Sequence, residues 1–306
     1  MTKVAAIVGP TAVGKTASSI QIARDLDGEV ISGDSMQVYK GLDIGTAKIM
    51  PDEMQGIPHH LINIRQADEH FSVADFQDLA NRQINEIAGR GRLPLIVGGT
   101  GFYVQALVDN LNLGSNGNAE DPAIRKKWED YGHAYGKQAL WNKLQSLDSE
   151  ATAKIPVNNV RRVVRALEVI SVTGQPFSQQ PQHDNENQFY LIGLTTDRKV
   201  LYQRINQRVD LMVKNGLVEE ARQLWDAGGP NWQSGKGIGY HELFPYFAGQ
   251  CSLNEAINKI KLDSRHYAKR QLTWFRNKMN VHWYDLVSGK DSTKEIEVDL
   301  KNWLKK

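Results

Sequence analysis

Apolar residues in this chain follow two rhythms. The runs Val4-Ala5-Ala6-Ile7-Val8, Glu29-Val30-Ile31-Ser32, Leu93-Pro94-Leu95-Ile96-Val97 and Phe189-Tyr190-Leu191-Ile192-Gly193-Leu194 are short and nearly continuous, as expected of strands buried in a sheet. Between them the spacing lengthens to three and four residues, which predicts helices. One covers residues 17–26, with Ile20 and Ala23 inward and Gly28 as its stop. Another runs from Ser72-Val73-Ala74-Asp75 to Ala88, with Phe76, Leu79, Ile84 and Ile87 on one face and Gly89 and Gly91 behind it. Residues 102–108 form a third. Asp197 caps a helix with Leu201, Ile205, Val209 and Met212 inward, Ser252-x-x-Glu255 is a capping box opening a long helix, and the tail after Gly289 reads as a short peripheral helix. From Asp121-Pro122 to about Val172 the pattern is helical throughout, and within it residues 158–173 end at Gly174 with Val160, Val164, Leu167, Val169 and Ile170 on the apolar side. A stretch rich in Gly, Asn and Ser at 110–118 precedes this region and a polar loop at 179–188 follows it. The strand at 189–194 needs a sheet, so it rejoins the first strands. The expected division is a core of residues 1–110 and 186–306 interrupted by a helical insertion at 111–185.

Composition changes this picture little. With 306 residues, 41% of them hydrophobic, the chain can hold a real core. The lone Cys251 excludes internal disulfides and a zinc ribbon, and it fits a reducing compartment. No charged leader precedes a cleavable apolar segment and no apolar run approaches a membrane span, so a cytoplasmic protein with no membrane partner is expected. Net charge is only +2. Yet Lys259, Lys261, Arg265, Lys269, Arg270, Arg276 and Lys278 crowd one stretch whose acid is Asp263. Such a run suits a polyanion, although a solvated helix face has the same composition.

Gly9-Pro10-Thr11-Ala12-Val13-Gly14-Lys15-Thr16 lies between the first strand and the first helix. A glycine-rich turn of this form wraps its N–H groups around a polyphosphate, Lys15 adds a charge at the outer phosphate, and the Thr16 hydroxyl suits Mg²⁺. The fold class that follows is α/β: a P-loop NTPase-like core with a parallel sheet flanked by helices, plus an all-helical insertion domain. Ligands of such sheets sit beyond the carboxyl ends of the strands, so Asp34, just after the second strand, should lie near the loop. It is a candidate base or Mg²⁺ partner, with a turn-capping role as the alternative. The strand at 93–97 ends in Gly98-Gly99 where a usual nucleotidase carries an aspartate, and no guanine-reading Asn-Lys-x-Asp is present. Arg204 and Arg208 are one turn apart and can clamp phosphate or form surface ion pairs. Gly235-Lys236-Gly237-Ile238-Gly239-Tyr240-His241-Glu242 is expected to be a flexible loop or a backbone-contact loop for a ligand. His59-His60 is discounted as a metal site because adjacent strand residues face opposite ways.

Together with Asp34-Ser35-Met36-Gln37-Val38-Tyr39, Asp43 to Lys48, Gly98 to Tyr103, Asp121 to Arg125, Arg161 to Val169, Gly237 to Glu242 and Tyr267 to Arg276, the phosphate loop resembles the tRNA dimethylallyltransferases of bacterial type. The matching stretches span most of the chain in order. The resemblance implies transfer of a dimethylallyl group from its diphosphate to N6 of adenosine 37 in tRNAs reading codons that start with U. It implies Gly9 to Thr16 as the diphosphate cradle, Mg²⁺ at Thr16, and Asp34, Arg208 and Thr100 as catalytic. It further implies tRNA contacts from Asp34, Ser35, Met36, Gln37, Thr100, Arg125, Arg161, Arg162, Arg165, Lys236, Gly237, Ile238, Gly239, Tyr240 and His241, and an insertion that grips the anticodon stem-loop; a monomer is expected, which the residues themselves do not decide. His241 stands where Arg or Lys is common, and the zinc-finger extension of some eukaryotic relatives is absent. The rival readings are an enzyme prenylating free AMP, ADP or ATP, a small-molecule kinase, and a non-catalytic RNA-binding protein.

Overall fold

Val4 to Val8 expose no surface at all because β1 (Thr2–Val8) lies inside a six-stranded sheet. The computed structural model describes residues 1–111, 113, 121–179 and 185–306. After β1 the chain forms α1 (Lys15–Asp25), β2 (Gly28–Ser32), β3 (His59–His60), α2 (Val73–Gly89), β4 (Leu93–Gly98) and α3 (Gly101–Val108). Next come α4 (Pro122–Leu147), α5 (Ser149–Lys154) and α6 (Val160–Thr173). The remainder is β5 (Asn187–Leu194), α7 (Arg198–Lys214), α8 (Leu217–Ala227), α9 (Phe244–Phe247), α10 (Leu253–Lys278), β6 (His282–Tyr284) and α11 (Thr293–Leu304).

The strand order is β3-β2-β4-β1-β5-β6, with every pairing parallel. Alternation along β1 feeds two cores. Val4, Ala6 and Val8 join Phe76, Ile84, Leu217 and Phe275 on one face, while Ala5 and Ile7 join Ile22, Leu201, Ile205 and Leu300 on the other. This is the expected parallel sheet with helices on both faces. All strands run the same way, so β1, β2 and β4 end on one edge, and the loops that follow them meet there.

The chain separates into two compact units, Met1–Asp109 with Asn185–Lys306, and Asn110–Asp184. The second unit has its own core of Leu140, Leu144, Ile155, Val163, Val164 and Leu167. At its centre the fully buried Glu168 accepts from Arg125 Nε and Arg165 Nη1, each at 3.0 Å. Residues 112 and 114–118 of the Gly, Asn and Ser-rich boundary and 180–184 of the polar loop lie outside the described residues, while Asn187 and Gln188, expected in that loop, already belong to β5.

Several elements differ from the periodicity. The first helix starts at Lys15, since its opening turn is polar and carries no apolar signal. Strand β6 and helix α8 are not evident from apolar spacing alone. Strand β6 is short and sits at a sheet edge beside β5, and α8 follows α7 after a turn at Gly216, which has a φ of 103°. Among the described residues no helix is long and apolar enough to cross a membrane.

Candidate active site

Gly9 sets the phosphate loop. It holds a φ of 138°, and a Cβ there would stand 2.4 Å from the Leu194 carbonyl oxygen, so only glycine lets the chain leave β1 this close to β5. Ala12 and Gly14 are also left-handed, at 67° and 93°. The loop winds onto α1, with Gly9, Pro10 and Val13 buried beneath it. Thr11, Ala12, Gly14, Lys15 and Thr16 face a cavity of about 630 Å³. Lys15 Nζ donates to the carbonyls of Gly9 at 3.0 Å and Pro10 at 2.6 Å, folding the ammonium over the loop.

Asp34 to Gln37 leave the end of β2 and line the same cavity. Asp34 Oδ1 accepts from the Met36 N–H at 2.8 Å, so the turn-capping role and the site role belong to one carboxylate. Thr100 Oγ1 accepts from the Ser35 N–H at 3.1 Å and thereby joins the turn after β4 to the turn after β2. Gly98 ends β4, and a Cβ there would lie 2.3 Å from the Gly33 carbonyl oxygen. No aspartate fits at that position, which explains the missing nucleotidase acid.

Charge at this edge is finely opposed. Burial lowers the Lys15 ammonium to about 7, Arg208 adds to the shift, and Asp34 partly offsets it. Burial raises the Asp34 carboxyl, against the pull of the Met36 N–H and of Lys15. Burial also lowers the Arg208 guanidinium, with Asp34 opposing. An acid and two cations thus sense one another in a half-buried space. Arg204 is placed differently, because its Nε donates to the Ala12 carbonyl at 2.8 Å and braces the loop from α7.

Helix α10 closes the cavity. Ile260, Ser264, Tyr267 and Gln271 form one stripe at helical spacing and all line it, as does Arg270. Gln271 Nε2 donates to the Gly99 carbonyl at 2.9 Å. Burial, followed by Asp34, pushes the Tyr267 hydroxyl up to about 12. The spacing of this stripe within a basic helix is the signal that would have singled these residues out. Other charges of the same helix are engaged locally: Lys259 pairs with Asp263 at 2.9 Å, Lys261 with Asp210 at 2.5 Å, and Arg265 donates to Asn206 at 2.7 Å.

The 235–242 segment is not a free loop. Ser234 and Tyr240 are fully buried, and Lys236 to Tyr240 border the cavity. Glu220 of α8 anchors it. One carboxylate oxygen accepts from the N–H groups of Asp43 and Ile44, both at 2.8 Å, and the other from the Gly45 N–H at 2.9 Å and the Tyr240 hydroxyl at 2.7 Å. Two cavity loops are therefore tied to one side chain that no sequence pattern singles out. Gln37 is fixed in turn, with Nε2 donating to the Thr46 carbonyl at 3.3 Å and Oε1 accepting from Ser32 Oγ at 3.1 Å.

The remaining predicted residues fall outside this cluster. His241 is exposed and is absent from the cavity wall; its Nδ1 lies 3.2 Å from Glu242 Oε2, and that carboxylate raises its pKa. In the second unit Arg125 and Arg165 hold Glu168, whereas Arg161 and Arg162 are exposed. His59 and His60 point to separate partners, the Ile57 carbonyl at 2.8 Å and Glu29 at 2.7 Å.

Residues 37–278 match the family model described as IPP transferase. A tRNA dimethylallyltransferase of Limosilactobacillus fermentum is 62% identical over the whole length of both chains. The crystal structure of the full-length tRNA isopentenylpyrophosphate transferase of Bacillus halodurans is 51% identical, with a TM-score of 0.72 and coverage of 99% of this chain and 96% of that one. A eukaryotic dimethylallyltransferase described as acting on tRNA is 29% identical, with a TM-score of 0.81 and coverage of 97% and 78%.

Proposed function

Since the chain belongs to the IPP transferase family, as a tRNA dimethylallyltransferase, we propose that its cavity brings dimethylallyl diphosphate together with the base of a tRNA adenosine. The activity is prenyl transfer to tRNA, giving N6-(dimethylallyl)adenosine at position 37 of tRNAs that read codons starting with U. Free AMP, ADP or ATP is not the favoured acceptor, because relatives matching over nearly their full length are named for tRNA. Phosphoryl transfer is disfavoured by Gly98, which leaves no room for the acid that kinases carry there.

The observation that carries the mechanism is that Asp34, Lys15 and Arg208 line one cavity together with the loop that follows β1. The allylic C–O bond breaks, the electron pair leaves with the diphosphate, and the carbon forms a bond to N6. Asp34 takes the proton that N6 loses, a role suited to a carboxyl whose proton affinity burial has raised. The loop N–H groups, Lys15 and Arg208 neutralise the departing charge. Thr16, exposed on the cavity wall at the start of α1, offers a hard oxygen donor that fits Mg²⁺ alongside phosphate oxygens. When bound there, the ion supplies further neutralisation of the leaving group. The base must leave its stack to enter the cavity. The exposed Arg161 and Arg162 of the second unit are assigned to the phosphates of the anticodon stem-loop. A cytoplasmic monomer fits this reading.

Asp34→Ala tests the assignment. In an assay with dimethylallyl diphosphate, Mg²⁺ and unmodified tRNA, turnover should fall at least about 100-fold, the usual contribution of a positioned base, with tRNA binding retained. Unchanged turnover would remove Asp34 from the reaction, and preferential product on AMP would displace tRNA as acceptor.

A further inference from the structure

Phe102 is the second residue of α3, directly beyond Thr100 and Gly101, yet it keeps 42% of its surface in solvent while its neighbours Tyr103 and Val104 are buried. Its ring meets Trp274 of α10 edge to face, with centroids 6.0 Å apart and planes at 74°. Trp274 in turn lies against Gly101, where a Cβ would come within 2.5 Å of the indole. The aromatic pair is thus seated on the turn that carries Thr100. On α10, Trp274 follows Arg270 by four residues and Gln271 by three, so it continues the face that lines the cavity by one turn. Exposed Lys269 and Arg270 stand on the same turn of α10. An apolar, partly exposed ring beside exposed cations, one turn outside a cavity, has the makeup of a stacking platform on an electropositive track.

Resting on the tRNA reading above, we propose that Phe102, supported by Trp274, is the platform for the unpaired nucleobase adjoining the reacting adenosine. When that adenosine is drawn into the cavity, its neighbour loses a stacking partner. A ring at the cavity rim replaces that partner, and the cations of α10 hold the connecting phosphate.

The test uses an anticodon stem-loop RNA in which 2-aminopurine replaces the base on either side of the reacting adenosine. Wild-type protein is expected to quench one of the two reporters, and Phe102→Ala to abolish that quenching. In turnover assays Phe102→Ala should raise the RNA KM about tenfold, within the range measured for base stacking on aromatic side chains. Its kcat and its KM for dimethylallyl diphosphate should be unchanged, and Phe102→Tyr should restore the RNA KM. An unchanged RNA KM in Phe102→Ala, or equal fluorescence of both reporters with wild type and variant, would overturn the proposal. Failure of the wild-type protein to prenylate the RNA at all would instead overturn the tRNA reading, and the fluorescence measurement would still decide the platform.

Discussion

Lys15 carries its charge where burial and Arg208 disfavour it, and Asp34 is an acid whose ionisation burial likewise disfavours. Each is relieved by the other. With Lys15 lowered to about 7, the free protein releases this proton as pH rises through that value, while a bound diphosphate retains it. Affinity for inorganic diphosphate should therefore fall with rising pH above about 7. Dividing wild-type affinity by that of Lys15→Arg cancels the ligand's own titration, and calorimetry from about pH 6 to about pH 9 reads the ratio. A flat ratio would contradict the shift. Stability follows the opposite sense. Between about 7 and the ordinary lysine range the unfolded chain binds a proton that the folded chain has released, so Lys15 makes folding more favourable as pH rises through that window. Asp34 acts the other way, since its folded form holds a proton that the unfolded carboxyl gives up.

Elements meet at the cavity through single side chains. Glu220 ties the 43–45 turn and Tyr240 to α8 with a carboxylate whose two oxygens accept all four bonds. In Glu220→Gln one of these oxygens becomes an amide nitrogen, a donor facing the two donors that the oxygen had accepted from. A buried donor left unmade costs about 1–3 kcal/mol. Denaturant unfolding should register a loss of that order. Because the 43–47 turn also holds Gln37 through the Thr46 carbonyl, the RNA KM should rise with it. A variant of wild-type stability and wild-type RNA KM would show that the clamp does neither. Gly98 acts through lack of volume: its approach to Gly33 brings the ends of β2 and β4 together and so places Asp34 and Thr100 within one cluster.

At the scale of the whole chain, the second unit uses its arginines for different ends. Arg125 and Arg165 complete the hydrogen bonding of Glu168 inside the second unit, and removing a partner from a buried charge is strongly destabilising. Arg165→Ala should therefore lower the melting temperature. Arg161→Ala and Arg162→Ala, exposed on the same helix, should leave melting unchanged, weaken tRNA binding and flatten its salt dependence, since each lost phosphate contact removes released counterions. Binding assays across a range of salt concentrations, paired with thermal melts, separate the two classes, and the same effect from all three variants would refute the division.

Local chemistry alone determined the strand-loop-helix turn at 9–16, the parallel α/β sheet and the Asp34 position, because each depends on neighbouring residues: a glycine at positive φ, an apolar run, an acid at a strand end. Tertiary structure alone decided which charges are free. Arg161 and Arg165 are indistinguishable in spacing, yet one is exposed and the other holds a buried acid. Glu220, Tyr267 and Gln271 likewise reach the cavity through contacts between residues far apart in the chain, and linear periodicity carries no information about which distant partner a side chain will meet.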